Sequence, residues 1–507
     1  MSTNSSEKIA VVTSNRHLAK NAVWNFVGLG APLLVAVFAI PLLIKGLGVD
    51  RFGILTLAWM AIGYFNLFDL GLGRALTKLV AEKLGAGDNR DISALIWTSL
   101  ILMALLGLVG TVVIAGLSSS VVYGMLKIPV HLQEESLSVF YLLGVAIPIV
   151  ITTAGLRGVL EAHQRFDLTN AVRIPMGLFN FLGPVAILPF SHNLIPVVAV
   201  LVAGRIIVWG VYFIQCLRVV PALHSGILVQ RDMILPLFRF GGWMTVSNII
   251  SPLMVYLDRF LIGALLSVTA VAYYTTPWEV VTKLFIVSSA VTGVLFPAFS
   301  SSFAQDPSRS IQLYKKGIKY VFIILFPIIL FIVVFARDIL QLWLGNDFAD
   351  NSHRPMQLLA IGVLINCLAS IPFAFIQGRG RADLTAKLHL LEVLIYLPGA
   401  YWLISHYGIV GASLAWVLRV SIDALLLFIV VERKAYQKST SLLKYVPAFL
   451  STLIILTIAI FLMKLPLKIT YATVVLTVFL FLSWQLLFDN DDRSFLSHKV
   501  KLFFRNK

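Results

Sequence analysis

Continuously apolar runs of roughly 18–23 residues recur along the whole chain, and nothing else in it constrains the fold as strongly. As a helix, each run is long enough to cross a hydrocarbon core of about 30 Å. They fall near 22–44, 53–73, 94–116, 138–156, 171–190, 194–216, 239–262, 277–300, 319–336, 356–378, 388–406, 409–431, 445–463 and 467–488. The apolar residues are unbroken rather than alternating, which argues against barrel strands, and a helix satisfies its own backbone groups inside lipid. The pattern predicts an all-α polytopic membrane protein with about fourteen transmembrane helices. Only 13% of residues are charged, about half the share of a soluble protein. The longest outer loops, near 117–137 and 337–355, are too short for a soluble domain.

The chain also repeats itself. RFDLTNA at 165–171 returns 216 residues later as RADLTAK at 381–387. Trp24 and Trp59 find counterparts in Trp243 and Trp278, Pro32 in Pro252, and Arg205 in Arg419. Such spacing predicts a duplicated six-span unit. The expected division is a cytoplasmic segment at 1–20, a six-helix lobe at 21–218, a cytoplasmic linker at 219–238 and a second lobe at 239–435. Two extra spans follow at 436–488, and a basic tail at 489–507. The two lobes are expected to be related by a pseudo-twofold axis along the membrane normal. Membrane proteins built from two repeats place their substrate site between them.

A net charge of +16 raises the question of nucleic acid. Its distribution answers otherwise. With the N-terminus inside, 29 of the 40 lysines and arginines fall in inner regions and 7 in outer loops. This is the bias that orients membrane proteins, and it predicts both termini in the cytoplasm. The charge therefore faces anionic lipid headgroups. Cys216 and Cys367 lie in or beside apolar runs and offer neither a disulfide framework nor metal spacing.

Catalytic signatures are missing from the sequence. No G-x-x-x-x-G-K-[ST] loop, H-E-x-x-H pair or G-x-S-x-G elbow occurs. The glycine-rich GLGVDRFG and GLGRAL do not fit a dinucleotide fingerprint. No catalytic residue, cofactor or metal is expected.

What remains is a small set of polar groups inside the spans. A mid-membrane charge costs about 2.5–3.5 kcal/mol even on the lenient insertion scale, so each needs a partner or a wet cavity. Arg205 and Arg419 lie deepest, at equivalent places in the two halves. Two readings stand for them: a guanidinium fork that grips phosphate oxygens, or a structural tie between helices. Asp423, one turn beyond Arg419, is a partner for the second. Asp258, Arg259, Glu279 and Lys283 have no charged counterparts in the first half, where the repeat aligns Ala39, Ile40, Met60 and Tyr64. Acids in a span can take up H⁺ or Na⁺; Asp258, Glu279, Glu392 and Asp423 are the candidates. Asp69 and Arg74 close the second span, where Asp69 suits either a helix cap or a gate. Asn25, Asn66 and Asn248 suit a polar cavity or a bridge between helices.

Four blocks carry a family resemblance. LGVDRFGILTLAWMAIGYFNLFDLGLGRALTK (47–78) resembles the second-span region of polysaccharide flippases of the O-antigen translocase type. These belong to the multidrug/oligosaccharidyl-lipid/polysaccharide exporter superfamily. GVLEAHQRFDLTN (158–170) is similar to their loop before the fifth span. GGWMTVSNIISPLMVYLDRFLIG (241–263) and VAYYTTPWEVVTKL (271–284) are similar to the start of their second half.

The resemblance implies two six-helix lobes with two trailing helices, and a central cavity lined by the first, second, seventh and eighth spans. It implies an undecaprenyl-diphosphate-linked oligosaccharide substrate, flipped between leaflets of a bacterial inner membrane by alternating access. Energy would come from a Na⁺ or H⁺ gradient. On this reading Asp258, Arg259, Glu279, Lys283, Asn25 and Asn66 are cavity candidates that hold substrate. Arg205, Arg419, Asp423 and Glu392 are lobe-internal or ion-coupling candidates, and Asp69 and Arg74 gate candidates. Membrane lipids, a polysaccharide polymerase and a chain-length regulator are the implied partners. An organic-cation antiporter of the same fold is the alternative, which the cationic Arg259 and Lys283 disfavour. An enzyme polymerising oligosaccharides would need larger outer loops.

Overall fold

The computed structural model describes residues 34–65, 69, 71–85, 91–235, 237, 257–305, 307–379, 381–435 and 446–488. Asn25, Asn66 and Asn248, and the Trp24/Trp243 and Pro32/Pro252 pairs, lie outside them. No strand occurs among the described residues. Seven helices there are long and apolar enough to cross a bilayer, and one of the seven, Asp383–Arg433, is two spans joined by a turn. The chain is a multi-pass, all-α membrane protein. Contacts divide it into two compact units, Met1–Ala272 and Tyr273–Lys507.

In the first unit, α1 (Leu34–Leu47) is followed at once by α2 (Val49–Tyr64). Gly48 makes the turn at φ 81°, a conformation that side-chain-bearing residues avoid. The predicted second span, 53–73, is not one helix: it comprises most of α2 and the start of α3 (Leu72–Gly85). Asp69 explains the restart. Its Oδ1 accepts from the Gly71 amide at 2.8 Å and its Oδ2 from the Gly73 amide at 3.2 Å, capping orphan donors at the N-terminus of α3.

Two long helices form the body of this unit, α4 (Ile92–Ser120, ending in a π turn to Met125) and α5 (Val130–Ala162). A β-carbon at Gly107 would lie 2.5 Å from the Pro148 Cα, so the two backbones meet there. Thr111 hydroxyl donates across to the Gly144 carbonyl at 2.8 Å. Small residues and hydroxyls are the usual means of joining helices where lipid removes the hydrophobic drive. α6 (Phe166–Ile187) and α7 (Leu194–Val219) complete the unit together with α8 (257–265) and the start of α9 (Val268–Val281).

Glu135 on α5 ties three elements. It receives a bidentate fork from Arg51 on α2 at 3.0–3.1 Å and accepts the Leu194 amide that begins α7. Its side chain is 9% exposed. Replacing Glu135 by alanine is expected to cost about 2 kcal/mol, because a forked cation and a helix-end amide both lose their acceptor. Thermal unfolding of the purified variant measures this; an unchanged midpoint would remove Glu135 from the account.

The second unit is built on α10 (Phe285–Gln305), α11 (Pro307–Leu344), α12 (Asn346–Gly378) and α13 (Ala382–Ala435). α12 is its core, buried along most of its length. Gln357 on α12 donates to the Val333 carbonyl of α11 at 2.8 Å. Trp278 of α9 packs edge-on against Trp416 of α13, with ring centroids 4.8 Å apart. α14 (Val446–Ile460) and α15 (Leu465–Leu482) follow, and buried Lys468 on α15 pairs with Asp338 on α11.

The sequence repeat has a visible structural counterpart. Arg165 forks onto Asp167 at 2.9–3.0 Å, and Arg381 forks onto Asp383 at the same distances, each pair opening a helix. The Arg165 hydrogen bond holds the exposed Asp167 carboxyl below its ordinary range.

Candidate functional site

α13 is a hairpin. Gly408 interrupts it at φ 59° and ψ −139°, outside helical geometry. A β-carbon at Gly411 would lie 1.9 Å from the Leu403 carbonyl oxygen, so the chain turns back at a distance only glycine permits. The eleventh and twelfth spans thus lie side by side as the two arms of α13. Their polar residues meet inside an otherwise apolar surface.

Four ionisable side chains converge there. Arg419 Nη1 stands 3.7 Å from Glu392 Oε2, and His389 Nδ1 stands 3.6 Å from the same oxygen. One ligand atom each from His389, Glu392 and Asp423 fall within 4.8 Å of one another. The Arg419 guanidinium lies 5.6 Å from the centre of the Tyr396 ring. The Glu392 side chain is 3% exposed, and neither of its carboxylate oxygens accepts a hydrogen bond. Asp423 Oδ1 is likewise buried without a donor. A cleft of about 140 Å³ reaches Glu392 and Arg419 between walls that include Leu391, Tyr396, Leu403 and Leu418.

The structure therefore brings three sequence candidates, Arg419, Glu392 and Asp423, into one cluster. It adds His389, which sequence reasoning missed. Its spacing of i−3 from Glu392 was the available signal. Arg419 pairs with Glu392 from across the hairpin at 3.7 Å, a partner that helix spacing alone does not indicate.

The remaining candidates each have a local setting of their own. Arg205, the repeat partner of Arg419, donates to Asn180 Oδ1 at 3.2 Å, joining α7 to α6. Asp258 and Arg259 are 1% and 3% exposed, and Asp258 Oδ1 accepts the Arg259 amide at 2.7 Å. Glu279 and Lys283 form an i, i+4 pair at 3.1 Å, both partly exposed. Such a pair contributes about 0.3–0.5 kcal/mol. Asp69 is engaged as the cap of α3, and Arg74 is exposed on that helix.

This architecture, a multi-pass helical protein with ionisable groups gathered inside its spans and duplicated motifs at its helix starts, is that of a membrane transporter. Residues 43–353 match the family described as "Polysaccharide biosynthesis protein", and the chain belongs to that family. It is 33% identical over 413 residues to a putative O-antigen transporter of Shigella flexneri, covering 81% of this chain and 96% of that one. A probable low-salt glycan biosynthesis flippase of Haloferax volcanii is 25% identical over 191 residues, 38% of this chain and 40% of that one. Among solved structures, an inward-facing multidrug-resistance transporter of the MATE family superimposes with a TM-score of 0.66 at 17% identity. That match covers 81% of this chain and 98% of that one, and at this identity it speaks for the fold.

Proposed function

We propose that this protein flips a lipid-linked oligosaccharide, the repeat unit of a surface polysaccharide, across the bacterial inner membrane. The observation that carries this reading is the similarity to the Shigella flexneri putative O-antigen transporter, which runs over 81% of this chain. The relatives are transporters and flippases rather than enzymes. The substrate class is an undecaprenyl-diphosphate oligosaccharide, moved from the cytoplasmic to the periplasmic leaflet.

In this reading the lobes are residues 21–218 and 239–435, rocking about the linker at 219–238, with both termini in the cytoplasm. Arg259 and Lys283 hold the diphosphate, since fixed cations match its charge. The sugars rest on polar groups, and the prenyl chain stays in lipid. A polysaccharide polymerase and a chain-length regulator receive the product.

The test uses the full chain in liposomes. An undecaprenyl-diphosphate oligosaccharide is placed in one leaflet, and its exposure to an impermeant modifying enzyme is followed. Wild type should flip it. Arg259→Ala should slow flipping by about tenfold or more, the loss expected when a buried charge partner is truncated, and Lys283→Ala should slow it as well. Exposure that proceeds equally without protein, with the protein folded, would end this reading; gradient-driven export of an organic cation would then replace it.

A further inference from the structure

The start of α6 and the end of α7 enclose a basic pocket that the transport reading leaves unused. It is an open cavity of about 420 Å³, lined by Arg165, Leu168, Gln215, Arg218 and Val219. The charge bias of the sequence puts this end of both helices at the cytoplasmic side. Gln215, Arg218 and Val219 follow one another at i, i+3 and i+4, so they share one face of α7. Arg165 immediately precedes α6, and Leu168 lies in its first turn.

Two hydrogen bonds hold this frame. The Tyr212 hydroxyl donates to the Thr169 carbonyl of α6 at 3.2 Å, and Cys216 Sγ donates to the Leu156 carbonyl of α5 at 3.2 Å. They flank Gln215 and fix the rotation of α7 that turns Gln215 and Arg218 into the pocket. Arg165 commits Nε and Nη2 to Asp167 at 3.0 and 2.9 Å. That pair sets the plane of the guanidinium and leaves Nη1 for another acceptor. Arg218 has no carboxylate partner among the described residues. Gln215 Oε1 is buried without a hydrogen-bond partner, and a half-turn of the amide exchanges it for the NH₂ donor. Stretches 157–173 and 215–219 together carry four arginines against Glu161 and Asp167, so positive charge is in excess.

The rim is apolar. Leu168 and Val219 wall the pocket, and the exposed Phe166 and Ile214 stand beside it on the same two helices. Guanidinium groups suit phosphate oxygens. Placed at the edge of an apolar surface, they suit a phosphate that carries a hydrocarbon tail.

The second half of the chain supplies an internal comparison. By the repeat offsets, Arg165 and Leu168 return as Arg381 and Leu384, but Gln215, Arg218 and Val219 fall on Ile429, Glu432 and Arg433. An acid replaces the free arginine, an aliphatic chain replaces the amide, and a cation replaces the apolar wall. The Arg–Asp pair is thus a repeated feature of the fold, whereas the pocket's chemistry is confined to the first half.

We propose that Arg165, Gln215 and Arg218 form a binding site for the phosphate of an anionic membrane lipid at the inner-leaflet end of α6 and α7. Two sources carry that chemistry, an anionic glycerophospholipid and a prenyl diphosphate. The site does not depend on the flippase reading; a prenyl diphosphate held there would be waiting on the leaflet from which that reading draws its substrate.

The experiment uses the purified full-length chain in phosphatidylcholine nanodiscs. Phosphatidylglycerol, undecaprenyl diphosphate or inorganic phosphate is added in turn, and native mass spectrometry counts what each chain retains. Wild type should retain one anionic lipid in preference to phosphatidylcholine, and whichever of the two lipids is held more tightly names the source. Arg218→Gln should weaken retention about tenfold, the loss of one charge-assisted contact. Arg218→Glu, which installs the acid found in the second half, should abolish it. Arg173→Gln removes the same charge from the same surface outside the pocket and should leave retention within about twofold of wild type. Equal losses in Arg173→Gln and Arg218→Gln would reduce the effect to general surface charge and overturn the site. Wild type that retains neither lipid overturns it too, as does inorganic phosphate held as tightly as either lipid, since the apolar rim would then contribute nothing. Retention that is intact in a chain that does not flip counts against the transport reading alone.

Discussion

Gly53→Val is expected to abolish the native packing of the first unit, with a loss of at least about 3 kcal/mol and failure to purify as a monodisperse protein. A β-carbon at this position would lie 1.9 Å from the Val268 carbonyl oxygen and 2.7 Å from its carbon. The obstacle is backbone, so no rotamer change relieves it. One helix end must move away from the other. Neighbouring contacts resist that movement: Asp50 accepts a hydrogen bond from the Thr269 hydroxyl, and the Lys127 amide donates to the Gly263 carbonyl at 3.0 Å. Gly53 is thus the point at which α2 and the start of α9 approach as closely as two backbones can. Gly116, which has no atom within 4 Å of an added β-carbon, is the matched control, and Gly116→Val should change the unfolding midpoint little. Size-exclusion profiles and thermal unfolding of the two variants in one detergent give the comparison. Gly53→Val with a wild-type profile would show that the close approach is not needed.

Much of the fold was legible because hydropathy in a membrane is nearly deterministic. The turn between the eleventh and twelfth runs was expected at 407–408, and Gly408 makes it. The second run was legible as apolar but not as broken. Its interruption comes from Asp69 capping α3, a local hydrogen-bond choice that a hydropathy window averages away. The packing of residues 263–272 onto α2 and Lys127 was not legible at all. It depends on backbone carbonyls and on one glycine, which carry no sequence signature over such a distance.

The cluster was half legible for a similar reason. Charged residues inside apolar runs announce themselves, so Glu392, Arg419 and Asp423 could be singled out. Which of them meet could not be read from helix periodicity. The i, i+4 rule joins Arg419 to Asp423, whereas the hairpin brings Glu392 to Arg419 from 27 residues away (419 − 392). His389 escaped notice because a single histidine at the start of an apolar run is usually a boundary residue. Only its 3.6 Å approach to Glu392 distinguishes it.

The two repeat-related arginines give the last expectation. Arg419→Leu should destabilise the protein by about 3–5 kcal/mol, because it strands Glu392 and Asp423 together without their cation. Arg205→Leu should cost about 1 kcal/mol, since it gives up one hydrogen bond to a neutral amide at 3.2 Å. The asymmetry follows from the partners, not from the arginines, which hold matching places in the repeat. A triple substitution separates the causes: adding Glu392→Leu and Asp423→Leu to Arg419→Leu replaces the arginine and both acids by apolar volume and should recover most of the stability. If loss of side-chain packing were the cause, the multiple variant would stay unstable. If Arg205→Leu and Arg419→Leu shifted the unfolding midpoint equally, the acids beside Arg419 would carry no energetic weight, and the two halves would be using their arginines alike.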